Sequence, residues 1–281
     1  MEIYFQLVRD AAGLKRACDE LRQASIIGFD TETTELDPYH GELRLVQLSS
    51  GTNTYVIDLR PFAKMGDLHT VAELAELRSL LTDPDVVKAA HNAKFDAKWV
   101  LHHLGIETGG LFDTYLSSQL IAAGDQDRRH SLADVAQFFT GIELDKSQQI
   151  SDWSADELSP QQIEYAARDA AVMVALHEQI ADRLDADGLH EAARIEFESI
   201  VPIAAMELNG FYLDESRWRE QFEKVRREQA VIADELQDML SSGVAQASLF
   251  GRAELNLESH HQVMDAMKNL GIPISDTTRN W

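Results

Sequence analysis

Between residues 25 and 58 the chain places three short apolar runs with only turn-forming residues between them. Ser25 to Asp30, Leu43 to Leu48 and Thr54 to Asp58 are each about the length of a buried strand. The gaps hold Pro38-Tyr39-His40-Gly41 and Ser49-Ser50-Gly51-Thr52-Asn53. Proline, glycine and short polar side chains at such positions favour chain reversal. Three consecutive antiparallel strands are therefore expected. Helical stretches then alternate with further strands near 86–90 and over 106–112. That order favours an α/β fold, a mixed sheet flanked by helices.

Four carboxylates and one tyrosine lie on these elements at spacings that can aim them at one point. Asp30 and Glu32 are two residues apart at the end of the first run, so on extended chain they face the same side. Asp96 opens a helix that runs through Leu104, with Asn92 read as its cap. An acid in the first turn faces the positive end of the peptide dipoles, which favours its ionised form. Tyr165 and Asp169 stand four apart within a helical stretch from Ser159 to Asp185 and share one face. Taken singly, these are a strand exit, a helix cap and half-buried packing. Together, four converging carboxylates repel one another strongly in a partly dry site. Two divalent cations would cancel their four negative charges, which is the balance of a two-metal phosphoryl-transfer site.

The runs Phe29 to Pro38, His91 to Asp96 and Gln161 to Ala170 resemble the three exonuclease motifs of the DEDD superfamily. Within it the chain is similar to the 3′–5′ proofreading domain of family A DNA polymerases and to ribonuclease D. The histidine branch of that superfamily places His five residues before the last aspartate; here that position is Glu164, while Tyr165 stands four before. The chain therefore resembles the tyrosine branch. The resemblance implies a ribonuclease H-like mixed sheet of five strands flanked by helices, with the site at the sheet's edge. It implies a Mg²⁺- or Mn²⁺-dependent exonuclease, two cations per site, that shortens single-stranded or frayed DNA 3′ ends and releases nucleoside 5′-monophosphates. Asp30 would bridge both ions, Glu32 and Asp169 would hold the one beside the attacking water, and Asp96 would position the second. Tyr165 would orient the water. Thr33 and Asn92 fall at positions that contact the terminal nucleotide, Leu36 at one that wedges against terminal bases, and Arg129 and Lys146 at phosphate contacts. Trp153 reads as a packing anchor for its loop. A ribonuclease D-like RNA exonuclease and a non-catalytic module that binds DNA or a polymerase are the alternatives.

The expected division is an exonuclease domain over residues 1–190 and a helical extension over 191–281. Glu191 to Asn209 reads as a helix interrupted only by Pro202. A second helix, from Asp214 to Leu240, sets Trp218, Phe222, Val225, Ile232, Leu236 and Met239 at three- and four-residue steps, with Gln229 breaking the seam. The plainer reading of that seam is packing on a neighbouring helix. Ile203 to Asp214, Leu255 to Val263 and Leu270 to Pro273 resemble the junction and start of a family A polymerase thumb, with no palm or fingers segment after them. An apolar seam of this kind favours a polymerase partner or self-association.

The net charge of −23 sits awkwardly with a nucleic-acid substrate, since such enzymes more often carry a basic stripe. Charges beyond about 8–10 Å are largely screened at physiological salt, so the local field matters more. Lys94, Lys98, Arg128, Arg129, Lys146 and Arg168 recur around the motifs. Weak, salt-sensitive binding is expected. The one cysteine, Cys18, excludes an internal disulfide and suits a reducing cytoplasm. No run has the length of a membrane span and the N-terminus has no signal pattern, so no membrane contact is expected.

Overall fold

The computed structural model describes residues 3–144, 151–241 and 255–274. The strands are β1 (Tyr4–Val8), β2 (Ile26–Thr33), β3 (Leu43–Ser49), β4 (Asn53–Asp58), β5 (Val87–Ala90) and β6 (Leu111–Asp113). The helices are α1 (Ala11–Leu21), α2 (Arg60–Ala63), α3 (Ala75–Thr82), α4 (Ala93–Leu104), α5 (Thr114–Ile121), α6 (Leu132–Thr140), α7 (Pro160–Ala186), α8 (His190–Asn209), α9 (Glu215–Ser241) and α10 (His260–Asn269). The strands make one sheet in the order β1-β4-β3-β2-β5-β6. The β2–β3 and β3–β4 pairs are antiparallel, as expected for the three apolar runs. The β1–β4, β2–β5 and β5–β6 pairs are parallel.

Among the described residues the sheet has six strands rather than the expected five. The additional one is β1, whose alternating exposed and half-buried residues hide it from a search for apolar runs. It adds in parallel to β4 because Phe5 and Leu7 pack against the cluster around Trp153, while Val8 joins the opposite core.

Each face of the sheet has its own core. On one side Ile27, Phe29, Val46 and Leu48 bury against Leu14, Cys18 and Leu21 of α1, Leu77 to Leu81 of α3, and Trp99 and Val100 of α4. Cys18 is a small packing residue, and burial pushes its thiol up to about 12. On the other side α7 crosses the sheet. Its Ile163, Ala166 and Ala167 pack on Leu45, Val56, Leu158 and Trp153. Trp153 is 6% exposed, which makes it the loop anchor expected.

The approach of α7 to β2 is close enough to exclude any side chain. A Cβ on Gly28 would fall 1.9 Å from the Ala170 carbonyl oxygen. Ala166, Ala167 and Ala170, all fully buried, give the helix a face flat enough to lie there. The start of α7 is fixed by a capping box in which Ser159 and Gln162 bond each other's backbone, with Pro160 opening the helix.

The compact units divide at Gly210 and Phe211. The reason is α8, which continues through Pro202 and belongs to the first unit. It packs along α4 and sends Ile200 into the core. Glu207 pairs with both Lys94 and Lys98, and the Tyr39 hydroxyl donates to the Leu208 carbonyl at 2.5 Å. The second unit contains α9 and α10, which contact each other. Trp218, Phe222, Val225, Ile232, Leu236 and Met239 are exposed along α9. Among the described residues no helix is long and apolar enough to cross a membrane.

Candidate active site

Five side chains from three elements line one cavity of about 180 Å³. Asp30 and Glu32 come from β2, Asp96 from the first turn of α4, and Tyr165 and Asp169 from one face of α7. Thr31, His91, Asn92 and Phe95 complete the wall. A wider cleft of about 600 Å³ shares Asp30, Tyr165 and Asp169 and continues past Tyr115, His130 and Leu132.

The carboxylates stand in each other's field with little water. Burial, then the charges of Asp96, Glu32 and Asp169, hold the Asp30 carboxyl well above its usual range. Burial and the same neighbours Asp169 and Asp96 do the same to Glu32. Asp96, 2% exposed, is pushed up to about 7 by burial, although the Thr31 hydroxyl donates to its Oδ1 at 2.6 Å. Burial also raises Asp169 to about 7, against the pull of the Tyr165 hydroxyl. Burial and the adjacent Asp169 move the Tyr165 phenol above its ordinary value, so it keeps its proton at neutral pH.

Asn92 does not cap α4 in the manner expected. It takes a left-handed conformation, φ 61° and ψ 47°, and its side chain makes no capping bond. The cap is Asp113, a residue the sequence did not single out. Its carboxylate accepts from the backbone N–H of Asn92 (3.1 Å) and Ala93 (2.8 Å), and also from Tyr115 (2.8 Å) and Leu116 (3.2 Å) of α5. One buried acid thus orders two helix starts, and Asn92 faces the cavity instead. The Asp-Thr step before α5 signals a cap for that helix alone. Its reach to α4 depends on the β5–β6 pairing of Ala90 with Asp113.

Two arginines hold the loop that leads into α7. Arg44, 1% exposed, pairs with Asp58 and donates to the Ala155 carbonyl at 3.0 Å. Arg60 donates to the Ser154 carbonyl at 2.7 Å and to Ala155 at 2.9 Å.

Other expected contacts are not gathered into the cavity. The Thr33 hydroxyl bonds the Glu35 carbonyl at 2.7 Å, and Leu36 is 83% exposed. Arg129 is exposed, next to His130 of the cleft wall, and Lys146 lies outside the described residues. Most of the nearby cations are engaged. Lys94 and Lys98 pair with Glu207, Arg168 pairs with Glu164, and the Arg128 guanidinium lies 3.4 Å from the Phe138 ring centroid.

The donor set suits hard divalent cations, which prefer carboxylate and water oxygens. Among the described residues no group of three or more His, Cys, Asp or Glu side chains is disposed to hold an ion as it stands. The fit therefore rests on the chemistry of the four acids and on the mutual repulsion that a cation would relieve. It has a measurable consequence. Acids whose folded pKa is raised bind more protons folded than unfolded, so their contribution to stability falls as pH rises through about 4 to 7. In EDTA the melting temperature is expected to fall between pH 5 and 8. Mn²⁺ at pH 8 is expected to restore it. A flat profile insensitive to Mn²⁺ would contradict the repulsion.

A family model described as 3′–5′ exonuclease matches residues 5–185. DNA polymerase I of Aquifex aeolicus is 33% identical over 242 residues, covering 80% of this chain and 38% of that protein. Ribonuclease D of Gluconacetobacter diazotrophicus is 34% identical over 182 residues, covering 65% of this chain and 44% of the relative. The chain thus spans less than half the length of these two relatives. Among solved structures, Brucella melitensis NrnC with bound Mg²⁺ superposes with a TM-score of 0.61 at 26% identity, covering 75% of this chain and 95% of that one.

Proposed function

The chain belongs to the 3′–5′ exonuclease family, and on that premise we propose that it is a tyrosine-branch enzyme using two Mg²⁺ or Mn²⁺ ions to remove nucleoside 5′-monophosphates from single-stranded or frayed DNA 3′ ends. The observation that carries this reading is the meeting of Asp30, Glu32, Asp96, Tyr165 and Asp169 in one cavity. A module that only binds would have no need to confine four mutually repelling acids there. Bound at these acids, divalent cations would polarise the attacking water and stabilise the leaving 3′ oxygen. Asp30 would be shared by both cations, Glu32 and Asp169 would hold the one on the water side, and Asp96 would hold the other. Asn92, in the cavity wall, would contact the terminal nucleotide. Thr33, Leu36, Arg129 and Lys146 are proposed contacts to the rest of the strand.

Tyr165 orients rather than abstracts. Its phenol holds its proton more firmly than a free tyrosine, so it is a poor base. Tyr165→Phe is expected to lower turnover about 10²-fold while Mn²⁺ binding persists. Unchanged turnover would remove Tyr165 from the reaction.

DNA is favoured because the similarity to DNA polymerase I runs over 242 residues, beyond the 182 shared with ribonuclease D. The ribonuclease D likeness supports RNA as the second reading. Matched 5′-labelled DNA and RNA strands, incubated with and without EDTA, test both. A metal-dependent descending ladder on DNA supports the proposal, and one on RNA alone moves it to the second reading. No ladder on either strand contradicts it. The exposed seam of α9 supports association with a polymerase partner or a second copy, and a single buried cysteine suits a cytoplasmic setting.

A further inference from the structure

On β3, directly across from Asp30, stands Gln47. Cross-strand partners point to the same face, with Cβ atoms about 5 Å apart. That face is the one under α7, because Leu45, two residues earlier, packs with Ala166 and Ala167, whereas Val46 and Leu48 fill the opposite core. Gln47 is 0% exposed. Among the described residues, neither its amide nitrogen nor its amide oxygen has a hydrogen-bond partner. A primary amide can donate twice and accept twice, and burying it unpaired is costly enough that native proteins rarely do so. An apolar residue would fill this position beside Leu45 and Val56 without that cost.

The neighbour with matching chemistry is the Asp30 carboxylate, which when ionised only accepts hydrogen bonds. We propose that Gln47 is a positioning residue for the reaction. Its Nε2–H donates to the Asp30 carboxylate in the cation-loaded site and fixes that carboxylate's rotation. This rests on the two-cation reading above. On that reading Asp30 would be shared by the two cations, so a misdirected rotamer there would weaken both. Partners of this kind behind a metal ligand are commonly worth 10–100-fold in affinity or activity.

The test uses the full chain with Gln47→Leu and Gln47→Met, two replacements of similar volume. Mn²⁺ affinity without nucleic acid is read by electron paramagnetic resonance, alongside kcat, KM and the melting temperature in EDTA. The inference expects Mn²⁺ affinity and kcat to fall about 10- to 100-fold in each variant that folds. KM should change little, and the melting temperature in EDTA should hold or rise. Variants that fold and keep the parent's Mn²⁺ affinity and kcat overturn it, because a purely structural amide would give that result. A parent chain that neither binds Mn²⁺ nor hydrolyses DNA or RNA overturns the underlying reading, and this inference with it.

Discussion

Asp30→Asn is expected to abolish hydrolysis and, in the same molecule, to raise the melting temperature of the metal-free protein. Asp30 is the acid most burdened by its surroundings, since burial and the charges of Asp96, Glu32 and Asp169 all oppose its ionisation. An uncharged amide of the same shape relieves that repulsion. About 1 kcal/mol gained would raise the melting temperature by roughly 2–4 °C in a domain of this size. The same change removes the proposed bridge between cations. Loss of several kcal/mol of transition-state stabilisation corresponds to a fall in turnover on the order of 10³-fold or more. Melting curves in EDTA and in Mn²⁺, with turnover on a labelled strand, check both halves. A variant as active as the parent would remove Asp30 from the reaction. A site held at the expense of stability is the usual signature of function.

The second large effect falls on a residue with no side chain. Gly28→Ala would set a methyl group 1.9 Å from the Ala170 carbonyl oxygen. Its obstacle is helix backbone, which cannot rotate aside as a side chain does. Either β2 bends or α7 moves off the sheet, at a cost of about 3 kcal/mol or more. Because α7 carries Tyr165 and Asp169, any folded remainder should also be less active. Gly13→Ala in α1 is the matched control. There a Cβ meets nothing closer than 3.5 Å, and alanine in a helix is expected to be neutral or stabilising by up to about 1 kcal/mol. Equal melting temperatures for the two variants would contradict the close packing of α7 on β2.

The parts of this molecule that were legible in the sequence are those encoded locally. β2, β3 and β4 are contiguous apolar runs, and the five cavity residues lie on elements whose period can be read within a few positions. What escaped depends on register between distant segments. The alternation in β1 is too weakly apolar to announce a strand until β4 offers it an edge. Asp113 looks like the cap of its own helix, and only the parallel pairing of β5 and β6 brings it to α4. Asn92 stands at the cap position, yet the bonds there belong to Asp113. Gln47 reads as a polar interruption of an apolar run until the β2–β3 register sets it against Asp30. The helix of residues 190–209 looks independent in sequence, whereas in the fold it packs along α4. Thr33 and Leu36 owe their expected roles to resemblance, and both lie outside the cavity wall.

Anomalous diffraction from crystals grown with Mn²⁺ and a nucleoside 5′-monophosphate shows whether Asp30, Glu32, Asp96 and Asp169 together hold a pair of divalent cations. Two anomalous peaks about 3.5–4 Å apart are expected, both ligated by these four side chains, with Asp30 shared between them. Crystals that show the nucleotide bound, these carboxylates unligated and no anomalous peak among them would contradict that arrangement.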